Sequence, residues 1–203
     1  MLMNVSHLLE LPVLSLHAGG PVAWLESEIV DPATLMILGF YINGEALDDP
    51  EVGEILDVRS IREISNLGIV VDSAEDFVNV TDVVRIERAS EKEFMPAGKK
   101  VFDERGKRLG KISDYIIETG DFTIVDIIVQ KPFMQAFSYP EIFIPASEIV
   151  EVADDRVIVK ASSNKIETTE DREKRIPFTN PFRKPLASTT HTKIPEQLDN
   201  ESA

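Results

Sequence analysis

The sequence predicts an all-β protein: two tandem small β-barrels followed by a disordered C-terminal tail. Three observations lead there. Short β-branched runs recur between turn signals through residues 4–161, two of these stretches repeat each other without a gap, and the composition changes at Ser162.

Apolar and β-branched runs bounded by Gly, Pro, Asn and Asp read as strands. Val13–Leu16, Val22–Val30 and Met36–Ile42 come first, separated by Gly19-Gly20-Pro21 and Asp31-Pro32. Asn43-Gly44 is a hairpin signal. After the acidic loop "EALDDPEVGE" come "ILDVRSI" and "GIVVD", joined through Ser65-Asn66. In the connecting stretch, Ser73 followed by Asp76 is a helix-start signal, and Thr81–Ile86 reads as a helical turn or an edge strand. This stretch is not rich in Gly or Ser, so the halves are expected to pack together. The order then returns: Val101–Asp103, Arg108–Glu118, Phe122–Gln130, "EIFIPASEIVEV", a turn at Asp154-Asp155 and "RVIVKA".

The repeat can be read residue by residue. "GPVAWLESEIVDPATLMILGFYI" lies on the segment from Lys107 without a gap: Val22 on Leu109, Ala23 on Gly110, Leu25 on Ile112, Leu35 on Phe122, and Ile37, Phe40 and Ile42 on Ile124, Ile127 and Val129. A period of about 87 residues indicates a duplicated domain, since solenoid units are shorter. The expected domains are 4–86 and 89–161, with a tail from 162 to 203. Leu25, Ile37, Phe40, Ile112, Ile124 and Ile127 are the expected core. Units of this size are marginal alone, so a shared buried face would stabilise them.

The second copy, "KKVFDERGKRLGKISDYIIETGDFTIVDIIV" with "IFIPASEIVEVADDRVIV", resembles the PRC-barrel family. Gly106, Gly110, Asp114 and Glu118 fall where that pattern places them. The first copy, about Leu8–Asp72, is similar but has Ala23 where the family usually has glycine, a first turn one residue shorter, and an inserted acidic loop. The resemblance implies a small barrel of five or six strands that binds proteins or ribonucleoprotein without catalysis. The family includes a domain of the photosynthetic reaction-centre H subunit and the C-terminal half of a ribosome-maturation factor. The N-terminal domain characteristic of the latter is not evident here, so that particular role is not implied.

Composition narrows the function classes. The net charge is −15, and residues 1–88 hold 16 acidic and 4 basic side chains. An acidic half repels a phosphate backbone, so DNA is not an expected partner. There is no cysteine, which excludes disulfides, thiolate metal sites and cysteine nucleophiles and fits a reducing cytoplasm. The first residues lack a basic n-region, and no run approaches the roughly 20 apolar residues of a membrane helix. A cytoplasmic protein without a membrane span is the expectation.

No constellation points to an enzyme. His7, His17 and His191 lack metal-ligand spacing. Glu45, Asp48, Asp49, Glu51 and Glu54 lack the EF-hand spacing, Pro50 interrupts them, and they read as a solvated loop. Asp31, Asp114 and Glu118 read as braces of turns. "ERGKRLG" lacks the lysine-threonine pair and following helix of a phosphate loop. Catalytic residues, cofactor and metal are all expected to be none.

The remaining signals concern partners. Lys99, Lys100, Arg105, Lys107, Arg108 and Lys111 cluster on one hairpin, readable either as a solvated edge or as an electrostatic docking face. In the tail, "RIPFTNPFRKP" places Phe178 and Phe182 between basic clusters, either as a docking peptide or as part of an ordinary polar tail. The expected function is a non-enzymatic protein-interaction or adaptor module. The alternative is a ribosome-associated or RNA-processing factor that uses the basic hairpin on structured RNA.

Overall fold

The computed structural model of the chain describes residues 1–44, 47, 52–132 and 141–161. Strands form where turn signals bracket β-branched runs. In the first half, β1 (Leu2–Asn4) and α1 (Val5–Leu9) lead into β2 (Pro12–Ser15), β3 (Gly20–Asp31), β4 (Met36–Asn43), β5 (Ile55–Asp57), β6 (Glu63–Ser65) and β7 (Gly68–Val71). In the second half, α2 (Val84–Ser90) leads into β8 (Lys100–Asp103), β9 (Arg108–Glu118), β10 (Thr123–Gln130), β11 (Glu141–Pro145), β12 (Ile149–Val152) and β13 (Arg156–Val159). The connecting stretch is helical. Ser73 and Asp76 close a reciprocal capping box on a 3₁₀ turn at Ala74–Asp76, and a second 3₁₀ turn at Val80–Asp82 precedes α2.

The two halves repeat their internal pairings, while β1 adds an antiparallel pairing with β9. β2 runs antiparallel to β3 and parallel to β7, and β8 does the same with β9 and β13. β3–β4–β5 and β9–β10–β11 form successive antiparallel pairs, and β6–β7 and β12–β13 close as hairpins. The irregularities repeat too. The ladder shifts between Leu25 and Ser27 in β3 and between Ile112 and Asp114 in β9, leaving Glu26 and Ser113 as the extra residues. Leu38 and Val125 are the extra residues of β4 and β10. Bulges bend and twist strands locally, so their recurrence gives both halves the same curvature.

The halves meet across a local pseudo-twofold axis. Met36 pairs with Thr123, its own counterpart in the repeat. Around this point the Ile37 N–H donates to the Phe122 carbonyl and the Ile124 N–H to the Leu35 carbonyl, both at 2.9 Å. Leu35 and Phe122 are themselves equivalent, and both adopt left-handed backbone, with φ of 55° and 59°. That conformation is costly for a bulky side chain. Here it turns both carbonyls toward the opposite half. Each residue interacting with the other's equivalent is the rule of an isologous interface.

One hydrophobic cluster runs through both halves. The six expected core residues, Leu25, Ile37, Phe40, Ile112, Ile124 and Ile127, are all buried. The expected pair of closed barrels does not form. The strands belong to one open sheet, ordered β12-β13-β8-β9-β10-β4-β3-β2-β7-β6. After β5 and β11 the chain turns through 3₁₀ helices at Val58–Ser60 and Ala146–Glu148. These turns carry β6 and β12 to β7 and β13 instead of back to β5 and β11, so among the described residues neither half closes by strand pairing. The expected tail from Ser162, with Phe178, Phe182 and His191, lies outside the described residues, as do Glu45, Asp48, Asp49 and Glu51.

Candidate interaction surfaces

The basic hairpin is built on a buried acid. Asp103 is 4% exposed and accepts the backbone N–H groups of Arg105 at 3.0 Å and Lys107 at 2.8 Å. Gly106 supplies the left-handed residue of this turn, with φ of 78°. Strand alternation then buries Val101 and Leu109 and leaves Lys100, Arg105, Lys107, Arg108 and Lys111 exposed. None of the five makes an ion pair among the described residues. Lys100 sits directly opposite Lys111 in the ladder, an arrangement that disfavours the hairpin through like-charge repulsion. Lys99 is different. Its ammonium donates to the Asp154 carbonyl and lies 4.8 Å from the centre of the Phe94 ring. It is held within the fold by a hydrogen bond and a cation–π contact.

Two of the three acids act as the sequence suggests. Asp31 accepts from Ala33 N–H at 3.2 Å, Thr34 Oγ1 at 2.9 Å and Lys92 Nζ at 3.0 Å. Partial burial pushes its carboxyl up, but these donors and the Lys92 charge outweigh that and hold it below the usual carboxylate range. Glu118 accepts from the Met1 amino group and from Gly120 N–H, and the first of these does most to lower its pKa. Asp114 does not brace a turn. It fastens the N-terminal segment by accepting from Asn4 Nδ2 at 2.9 Å and Ser6 Oγ at 2.7 Å, because the bulge at Ser113 leaves it facing that segment.

Where the halves cross, Tyr115 donates its hydroxyl to the Glu28 carboxylate, and both residues are buried. These too are equivalent positions of the repeat. Burial, then the Glu28 charge, pushes the Tyr115 hydroxyl well above its ordinary range.

The structure reveals a second surface, a cleft of about 840 Å³. One wall is the 3₁₀ turn with β6, bearing Arg59 and Arg62. Another is α2 and the residues after it, bearing Arg85, Arg88 and Lys92, and the β9–β10 turn borders it. Its floor is apolar, with Met36, Leu38, Val58, Ile61 and Ile64 half-buried. Arg62 pairs with Asp72, Arg85 with Asp57 and Lys92 with Asp31. Arg59 and Arg88 are exposed and make no ion pair among the described residues. Sequence reasoning missed this site, although "VRSIR" and "VRIER" carry a signal: two R-x-x-R pairs in a half with no other basic residue.

His7 is exposed, 3.9 Å from Glu10, and His17 is exposed in a turn. Among the described residues, no group of three or more His, Asp or Glu side chains could hold a metal ion, and no helix is long and apolar enough to cross a membrane.

Taken together, repeated pairings, a shared core and charged outer surfaces define a β-rich module of two related halves. Residues 96–166 match the PRC-barrel domain family. The match spans β8 to β13, whereas the first half is related to it through the repeated sequence, pairings and bulges. No curated protein matches the chain.

Proposed function

We propose that the chain is a non-catalytic protein-interaction module that docks an acidic partner on the β8–β9 hairpin, in the cytoplasm. The observation behind this reading is the set of five exposed basic side chains that make no ion pair among the described residues, two of which, Lys100 and Lys111, face each other across the ladder. A purely structural hairpin gains nothing from Lys100 facing Lys111, whereas an anionic partner relieves that repulsion and is steered by the local field. PRC-barrel domains commonly serve as protein-interaction modules, which supports the same reading.

The test is a pull-down on the immobilised full chain, comparing it with K107E/R108E/K111E at low and high salt. Proteins retained by the native chain at low salt should be lost in the variant and at high salt, because exposed charges are screened beyond about 8–10 Å near physiological ionic strength. Unchanged recovery from the variant overturns the proposal. Salt-dependent sedimentation with ribosomes, abolished by ribonuclease, would favour structured RNA instead.

A further inference from the structure

We propose that the arginine cleft is a second docking site, separate from the hairpin, whose occupant is an acidic peptide segment of a partner protein with an apolar side chain among its carboxylates. Residues 1–88 contain 16 acidic side chains and only four basic ones. All four are arginines, and all four line this cleft, with Lys92 as a fifth cation. The half most depleted in positive charge thus concentrates all of it in one concavity.

The residue type matters as much as the sign. A guanidinium presents a planar fork that matches a carboxylate with two parallel hydrogen bonds. Arg62, Arg85 and Lys92 are held by Asp72, Asp57 and Asp31, and they build the walls. Arg59 and Arg88, at the rim, make no ion pair among the described residues. Between them the apolar floor offers area to a hydrophobic side chain, and the volume lies within the roughly 300–1,000 Å³ of ligand sites.

Charge and floor together select the occupant. An inorganic anion would satisfy the guanidiniums and leave the floor in contact with water. A nucleic acid would run its phosphate backbone beyond the concavity and over a strongly acidic half, whereas a short peptide confines its carboxylates to the arginines. An acidic peptide with an apolar residue uses both features.

The experiment pans random short peptides displayed on phage against the full chain and, in parallel, against R59E/R88E. These substitutions leave the three wall ion pairs in place, and R59Q/R88Q replaces the pair if the reversed variant fails to fold by circular dichroism. The native chain should enrich peptides with Asp or Glu flanking an apolar residue. A labelled synthetic copy should bind about tenfold or more weakly to R59E/R88E by fluorescence anisotropy and undiminished to K107E/R108E/K111E. The proposal is overturned by no enrichment, by equal enrichment on both chains, or by enrichment of peptides lacking acidic residues. Equal loss in the hairpin variant overturns it too, because the peptide would then belong to the hairpin.

Discussion

On the β8–β9 hairpin, Lys100, Arg108 and Lys111 face solvent. At the equivalent places on β2–β3 stand Pro12, Pro21 and Trp24, the last 44% exposed. The cleft shows the reverse asymmetry. Arg59 and Arg62 in the first half correspond to Ser147 and Val150 in the second. The halves thus share pairings, bulges and core but differ where partners would touch. A close-packed interior restrains substitution, because volume changes are felt by every neighbour. Exposed positions carry no such restraint, so a duplicated frame can present two unlike surfaces.

The same comparison explains Ala23. In the second half a Cβ at Gly110 would overlap the Gln130 carbonyl. In the first half Ala23 is tolerated because Gly44 lies across from it, with φ of 145°, where an added Cβ would come 2.8 Å from the Ala23 Cα. The close approach is retained, and the glycine has changed sides.

The largest test of the shared core is truncation at one repeated position. Phe40→Ala should cost about 3–5 kcal/mol and its counterpart Ile127→Ala about 2–5 kcal/mol in urea denaturation. Phe40 has the additional loss of its edge contact with Phe122, whose ring centre lies 6.2 Å away. Since one cluster spans both halves, calorimetry of either variant should show one transition. Two resolved transitions would mean that the halves unfold separately and that the core is not shared.

Next in size is the glycine exchange. Gly110→Ala should destabilise by about 1–3 kcal/mol through overpacking against backbone. Ala23→Gly should cost only about 0.5–1 kcal/mol, mostly in chain entropy. Equal effects in thermal melts would show that the approach is not tighter at Gly110.

Tyr115→Phe should cost about 1–3 kcal/mol, because the Glu28 carboxylate stays buried without its donor. The pair also sets an alkaline limit. Folding raises the tyrosine pKa, so its contribution is complete below the unfolded value of about 10 and is lost as pH rises through the folded value. Denaturation midpoints of the native chain should fall at strongly alkaline pH more steeply than those of Tyr115→Phe. Parallel curves would remove Tyr115 from the alkaline transition.

Much of the frame was legible because it rests on local pattern. Consecutive apolar pairs such as Ile29-Val30 and Ile116-Ile117 even mark where alternation breaks, and these residues are buried in both halves. What pattern does not encode is how the halves meet. Glu28 and Tyr115 are dissimilar side chains at equivalent positions, and only the pseudo-twofold contact makes them partners. Asp114 looked like a turn brace because its partners, Asn4 and Ser6, lie more than a hundred residues away. The cleft was hidden for the same reason. Its two arginine pairs are separated in the chain and converge only where α2 packs on β3 and β4.

The smallest expected effect concerns what holds α2 in that place. Asp31 and Glu118 are equivalent, and each binds an ammonium on a segment that precedes one half and reaches the other: Lys92 for Asp31, the Met1 amino group for Glu118. Exposed pairs of this kind contribute about 0.2–1 kcal/mol, so Lys92→Met should barely change the melting temperature at neutral pH. Its signature is the acid limb. Folding lowers the Asp31 pKa, so this contribution is present above the unfolded value near 4 and lost as pH falls through the folded value. Without Lys92, burial opposes fewer favourable contacts, the folded value moves back up, and the fall in denaturation midpoint below about pH 5 should be shallower. An unchanged acid limb would mean that Lys92 does not anchor the segment after α2, and that the cleft wall carrying Arg85 and Arg88 is held by the Arg85–Asp57 pair and the apolar contacts of Ile86 and Ala89.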